Sequence, residues 1–416
     1  MTSRAPTSAL AGIRICDFSG QLAGAGATRF LAAMGAHVIR IEDPVTQGYW
    51  DALRGVAPFV DERRGRDLGG PFNNHNVEKL GVTLNLRTDT GKELLRELVA
   101  ISDVVTENFA AGVLARLGFA YDDLRAIKRD ILYVSNSGFG HTGPYREFKT
   151  WGPIVQACCG LAFMTGLDGQ PPAGIGYSYM DHHGGSVMAI AILAGLRHRR
   201  RTGEGQWIDI SCTDAGALLN GPAMLDYTIN GRPLRRDGSP DSNHSQHPAM
   251  APHGIYPAQG DDNWIAIACR DDADWTRLAA VVATEWSRDP RWTARDARVD
   301  AQDELDGLIA TWTNTRDRFD TARVLCDAGV PAAAVQRPGE RVDNDLATSE
   351  WNLWPTVAHT EMGSVRVDGL PVHFSKTDWV IERGAPCLGE HNDEVFGDLL
   401  GHRADEIQRW RDEGVL

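Results

Sequence analysis

Asp181 stands where an aromatic run (Tyr177, Tyr179, Met180) gives way to His182, His183, Gly184, Gly185 and a long apolar segment. The pattern predicts extended backbone leading into a helix at this residue. A carboxylate there meets the unpaired N–H groups and the positive dipole end of the helix. Two glycines directly behind it let another molecule come close to the backbone. Taken alone, these residues fit two readings. One is a reactive carboxylate; the other is an ordinary Asp N-cap, a preferred residue type at helix starts.

The elements that must hold this residue lie on either side of it. Residues 13–18 (IRICDF) read as a β-branched strand ending at Asp17, followed by a turn with Gly20, Gly24 and Gly26, a helix, and the strand 37–42. That is a βαβ unit with a right-handed crossover. Its glycines fit a dinucleotide fingerprint only loosely, yet they allow a nucleotide-like ligand at the carboxyl ends of the strands. Residues 44–75 read as an irregular loop. Strands follow at 80–86, 103–109, 131–140 and 206–211, alternating with helical periods, one of which runs from Asp181 to about Arg200. The alternation specifies an α/β fold with an open, mostly parallel, Rossmann-like sheet. The expected domains are a large one over 1–225 completed by 365–416, and a smaller α+β one over 250–340. The segments 226–249 and 341–364 read as linkers between them.

With 416 residues the chain can bury two cores, and 42% apolar with 24% charged residues is ordinary for a globular protein. A net charge of −14 opposes nonspecific nucleic-acid binding but leaves room for an anionic ligand at a local cluster of cations. The basic run Arg197–Arg201 reads mainly as a solvated helix end. Seven scattered cysteines (16, 158, 159, 212, 269, 326, 387) without C-x-x-C spacing predict buried thiols in a reducing cytoplasm and no metal site. No signal-peptide core or apolar run of membrane-spanning length is expected.

Several phrases resemble the family III CoA-transferases. They are LAGIRICDF, LAGAGATRFLAAMGAHVIRIE, TGKELLRELVAISDVVTENFAAGVLARLGF, SGFGHTGPY, the D-x₃-G after Tyr179, ILAGLRHRRRTGEGQWIDIS, AGVPAAAV and APCLGEHNDEV. They occur in family order over nearly the whole chain. The resemblance implies transfer of coenzyme A from an acyl-CoA to a free carboxylic acid, with Asp181 as nucleophile. A carboxylate in that role must be held in line and partly desolvated, and must stay ionised, so no strongly raised pKa is expected. The Gly184 and Gly185 amides are the candidate oxyanion donors. By position, CoA contacts are expected from Gly20, Gln21, Leu22 and Ala23, and from Lys79, Asn108, Phe109, Arg116, Lys149 and Trp151. For Arg116 and Lys149 the competing reading is surface charge, and for Trp151 a core aromatic. Acyl-CoA and a carboxylic acid are the implied substrates, with no permanently bound cofactor. An interlocked, ring-shaped homodimer is the implied assembly.

Departures from the family pattern shape the substrate expectation. Gly152 stands where formyl-CoA transferase has an acidic residue, Leu22 where it has a Gln near the active site, and Asp43 where a strand-end Arg is expected. The glycine-rich gating loop has no counterpart in SNHSQHPAMAPHG (242–254). Oxalate and formyl-CoA are therefore poor guesses, and a larger or less polar acyl group is expected. The same fold serves α-methylacyl-CoA racemases, whose G-H-D triplet is here Thr150, Trp151 and Gly152. His182 and His183 could act as acid or base. Intramolecular CoA transfer, and an acyl-CoA-binding module without chemistry, complete the alternatives.

Overall fold

Runs of Val, Ile and Leu that avoid charge read as strands buried on both faces, and the computed structural model places six of them in one sheet. It describes residues 8–166, 170–176, 178–233, 243–246 and 248–416. The strands are β1 (Arg14–Asp17), β2 (His37–Glu42), β3 (Leu80–Thr83), β4 (Val104–Glu107), β5 (Leu132–Ser137) and β6 (Gln206–Ser211). Their order is β3-β2-β1-β4-β5-β6, and every pair is parallel. This is the doubly wound order, in which the sheet grows one way from β1 and the other way from β4.

Among the described residues, nine α-helices lie between Ala23 and Asn230. They are α1 (Ala23–Ala33), α2 (Gly70–Asn76), α3 (Asp89–Ala100), α4 (Val113–Arg116) and α5 (Tyr121–Ile127). Then follow α6 (Gly152–Cys158), α7 (Tyr179–Thr202), α8 (Cys212–Ala217) and α9 (Gly221–Asn230). Neighbouring residues on a strand feed opposite faces of the sheet. Cys16, Ile39, Val105 and Tyr133 pack with Leu95, Leu124 and the C-terminal Ile407 and Trp410. Ile15, Val38, Val104 and Leu132 pack instead with Leu31 of α1 and Met188 and Ile192 of α7. The basic end of α7 is more than a solvated terminus: Arg199 pairs with Asp103 at 2.7 Å and with Asp130.

The chain divides into two compact units, one spanning 1–163, 173–234 and 347–416 and the other 164–172 and 235–346. In the second, the hairpin strands His253–Pro257 and Trp264–Ala268 and the strand Ala332–Ala334 form an antiparallel sheet. Its core holds Ile265, Trp275, Leu278, Trp292 and Ile309. Two linker boundaries move. Helix α9 runs to Asn230, stopped by Gly231 at φ 67°, so 226–230 is helical. The hairpin Thr356–His359/Gly363–Arg366 begins inside the expected return linker. Residues 234–242 and 247 of the first linker lie outside the described residues. So does Tyr177 of the aromatic run. The irregular stretch 44–75 holds α2 at its end.

Candidate functional site

At the carboxyl ends of the strands, the turn after β1 has to leave the sheet and start α1 within five residues. Buried charges enforce that turn. Asp17 is fully buried and accepts from Ser19 N (2.9 Å), Thr28 Oγ1 (2.7 Å), Thr106 Oγ1 (2.9 Å), the Ser19 hydroxyl and Lys79 Nζ (3.2 Å). Burial pushes the Asp17 carboxyl up, but Lys79 and Arg40 outweigh it and hold it below the usual range. The next two residues are clamped through their backbone. Gly20 N donates to Asn108 Oδ1 at 2.8 Å and Asn108 Nδ2 returns a bond to Gly20 O at 2.9 Å. Gln21, at φ 53°, donates its N–H to Asp51 Oδ2 at 3.0 Å, and Arg40 braces Asp51 at 2.7 Å.

This turn forms one wall of a cavity of 290 Å³. Gly20, Gln21, Leu22 and Ala23 line it from β1, and Asn108 and Phe109 from β4. Asn136, Ser137 and Gly138 line it from β5, and Lys149 and Trp151 from the loop before α6. Asp181 and Cys212 complete it. The cavity therefore straddles β1 and β4, the switch point where open α/β sheets bind ligands.

Asp181 is not the N-cap. Ser178, in left-handed backbone at φ 55°, holds that position without a side-chain cap bond, and Tyr179 and Met180 are already helical rather than extended. The early start follows from packing: Met180 is fully buried against Val155, Cys159 and Cys212, which anchors the first turn of α7. Asp181, half-buried in that turn, lies against the main chain of Gly152 in α6, and Gly152 and the Ser178 hydroxyl favour its ionised form. Burial pushes its carboxyl above the usual range, while Ser178, Gly152 and His182 work against the rise. The expectation of no strong rise thus meets an upward direction, set by desolvation.

The neighbours of Asp181 are specific. The buried Cys212 thiol donates to Asn136 Oδ1 at 2.9 Å, and burial together with Asp181 pushes it up to about 12. Ser137 is 8% exposed, and its hydroxyl has no hydrogen-bond partner among the described residues. His183 Nε2 lies 3.1 Å from Ala215 O, and the exposed His182 ring sits 5.6 Å from that of His75.

Three groups of expected site residues are redirected. Gly184 and Gly185 do not line the cavity. They lie a turn further into α7, where main-chain N–H groups belong to the helix ladder. A Cβ would come within 2.6 Å of Cys212 Sγ at Gly184 and of Ala23 O at Gly185, so packing is what requires glycine there. Lys79 is fully buried, and its ammonium is spent on Asp17, Ala25 O (3.1 Å) and Asn76 Oδ1 (2.9 Å), so it braces the turn from beneath. Burial lowers it to about 8 against the pull of Asp17. Arg116, exposed on α4, does not line the cavity. Asn108 lines it but commits both ends of its amide to Gly20.

The sequence reading passed over Trp50, Ser137, Arg146, Phe148, Thr150 and Cys212, all on the cavity wall. Trp50 packs on Phe109 with ring centroids 5.4 Å apart. A lone Trp in the loop after β2 was its signal, and the small polar residues closing β5 were the signal for Ser137.

Residues 10–392 match the family described as CoA-transferase family III. The succinyl-CoA–D-citramalate CoA-transferase of Chloroflexus aurantiacus is 32% identical over 417 residues, covering 100% of both chains. The formyl-CoA:oxalate CoA-transferase of Streptomyces coelicolor is 30% identical, covering 98% of this chain and 99% of the relative. Among solved structures, a CaiB/BaiF family protein from Brucella suis superposes with a TM-score of 0.84 at 29% identity. That match covers 94% of this chain and 100% of the other.

Proposed function

The chain belongs to the family III CoA-transferases, and from that premise we propose that Asp181 is the nucleophile that carries the transferred group. The observation that carries this reading is a half-buried carboxylate on the wall of the switch-point cavity, set close against Gly152 and favoured as the anion by Gly152 and Ser178. In the first step an Asp181 oxygen attacks the thioester carbonyl. The C–S bond breaks, leaving a mixed anhydride and CoA thiolate. The thiolate attacks Cγ of Asp181, the Cγ–O bond to the acyl group breaks, and the first carboxylate leaves behind an aspartyl-CoA thioester. An acceptor carboxylate then attacks that thioester and the steps run in reverse, so no proton is gained or lost overall. Each tetrahedral oxyanion needs fixed donors. The cavity-lining Leu22 and Ala23 offer first-turn amides of α1, and Ser137 offers its unpartnered hydroxyl. Arg146 and Lys149 supply the local positive charge that CoA phosphates need in an acidic chain.

The relatives are named for succinyl, citramalate, formyl and oxalate groups. Citramalate and oxalate are diacids, so we assign the acceptor to the dicarboxylic acids. Leu22 and Trp151 on the wall favour one longer than oxalate. The test is to incubate the protein with a panel of acyl-CoAs without acceptor, trap with hydroxylamine, and read peptide masses. An adduct on the Asp181 peptide that is absent in Asp181→Ala supports the assignment. Exchange of an α-proton for deuterium without any adduct would transfer the reading to a racemase.

We further infer that the chain works as a homodimer, interlocked as the family resemblance implies. Helix α9 buries none of its residues, and Leu225 and Ile229, one turn apart along it, are 59% and 74% exposed, with Leu218 just before it at 80%. A contiguous apolar face of this kind marks an interface.

A further inference from the structure

The first turn of a helix leaves its N–H groups without intrahelical partners. In α6 that shortage is nearly resolved from within: Pro153 has no N–H, and Ile154 and Val155 both donate to Trp151 O at 2.9 and 3.0 Å. The N–H of Gly152 remains, and the Asp181 carboxylate arrives from α7 against this residue, its ionised form favoured by that N–H. The approach is close enough to forbid a side chain. A Cβ on Gly152 would sit 2.6 Å from Asp181 Oδ2, 3.0 Å from its Cγ and 3.1 Å from Ser178 Cα. The carboxylate cannot simply back away, because Ser178 is main chain at that contact and its hydroxyl holds the carboxylate from the other side.

We propose that Gly152 is a positioning residue for the reaction: its N–H and its missing Cβ together fix where the Asp181 carboxylate points. This rests on the reading of Asp181 as nucleophile. The groups facing that carboxylate are Ser178 and His182 on its own element, Gly152 on α6 and the Cys212 thiol on α8. Arg146 and Lys149 share its cavity. A side chain at 152 pushes the carboxylate off the N–H, which misaligns the attack and removes a bond that favours the ionised form. CoA contacts elsewhere in the cavity are untouched, so the chemical step suffers and CoA binding does not.

The sequence supplies a direct probe, since Trp151–Gly152 is the only Trp-Gly dipeptide in the chain. Labelling with carbonyl-¹³C tryptophan and ¹⁵N glycine yields one selectable amide signal, that of Gly152. It should titrate with pH in the unaltered protein, at a midpoint above the usual carboxylate range, and should not titrate in Asp181→Asn. A signal that stays put, or moves identically in Asp181→Asn, overturns the proposal without any variant at 152. In Gly152→Ala, aspartyl adduct formation should slow by at least about 10²-fold, the scale of an ångström's misplacement. Its CoA dissociation constant should stay within about twofold, and its acid limb should move to higher pH. Parent-like adduct rate and acid limb in Gly152→Ala would also sink it. If the unaltered protein forms no adduct, the transferase reading of Asp181 fails, and the amide titration still reports separately whether Gly152 holds the carboxylate.

Discussion

At the scale of single residues, the proposed chemistry turns on the Asp181 carboxylate, which burial desolvates while Ser178, Gly152 and His182 favour its anion. Burial raises its pKa, and the nucleophile is the ionised form. Adduct formation should therefore fall as pH drops through the raised folded value and be flat above it. The same sign makes Asp181 a cost to stability above that value and no cost below the unfolded value of about 3.9. A pH–rate profile with its acid midpoint at or below about 3.9 would contradict the assignment. Ser137 is the second residue to test. Its buried hydroxyl bonds to nothing among the described residues, so removing it orphans no partner and relieves an unsatisfied group worth about 1–3 kcal/mol. Ser137→Ala should melt no lower than the parent. If the hydroxyl serves the oxyanion, kcat should fall roughly 10²-fold, and an unchanged kcat would remove Ser137 from the mechanism.

At the scale of elements, α1 and α7 meet through glycine, and a turn is held from below by ions. Gly185→Ala gains up to about 1 kcal/mol of helix propensity. It also places a methyl 2.6 Å from the Ala23 carbonyl, which is main chain and cannot yield. Overpacking of this kind costs about 1–3 kcal/mol, so the clash wins, and urea denaturation should show a net loss with an unchanged m-value. Lys79→Met leaves the Asp17 carboxylate buried without its ammonium. Breaking such a pair costs about 3–5 kcal/mol, and the loss should be visible in the melting temperature before any kinetic comparison. An unchanged melting temperature would mean that Arg40 and the three hydroxyls suffice to hold Asp17.

For the whole molecule, the proposed homodimer is the prediction to test, with the apolar face of α9 as its interface. Light scattering should give twice the chain mass of 45.4 kDa. The double substitution Leu218→Asp/Ile229→Asp, which puts charge on that face, should shift the mass toward one chain. A monomeric parent would leave the exposed face without the assigned occupant. Among the described residues no helix is long and apolar enough to cross a membrane.

The parallel sheet was legible in the sequence because its causes are local. Strands such as HVIRIE and ILYVSNS are β-branched and apolar, and the period between them is helical, so each element declares itself within a dozen residues. The family phrases, in order, identified the family, while the flanks of Asp181 by themselves fit a helix cap as well as a reactive carboxylate. What each neighbour does there depends on partners far along the chain. Lys79 looks like a CoA contact until Asp17, 62 positions away, takes its ammonium. Asn108 looks like a ligand contact until Gly20 takes both of its polar ends. Gly184 and Gly185 look like open backbone until Cys212 and Ala23 arrive against them, and Gly152 looks like a loss until Asp181 occupies the space a side chain would fill. Local pattern sets which elements form. Only close packing of distant segments decides which polar groups are spent on the protein and which remain for a substrate.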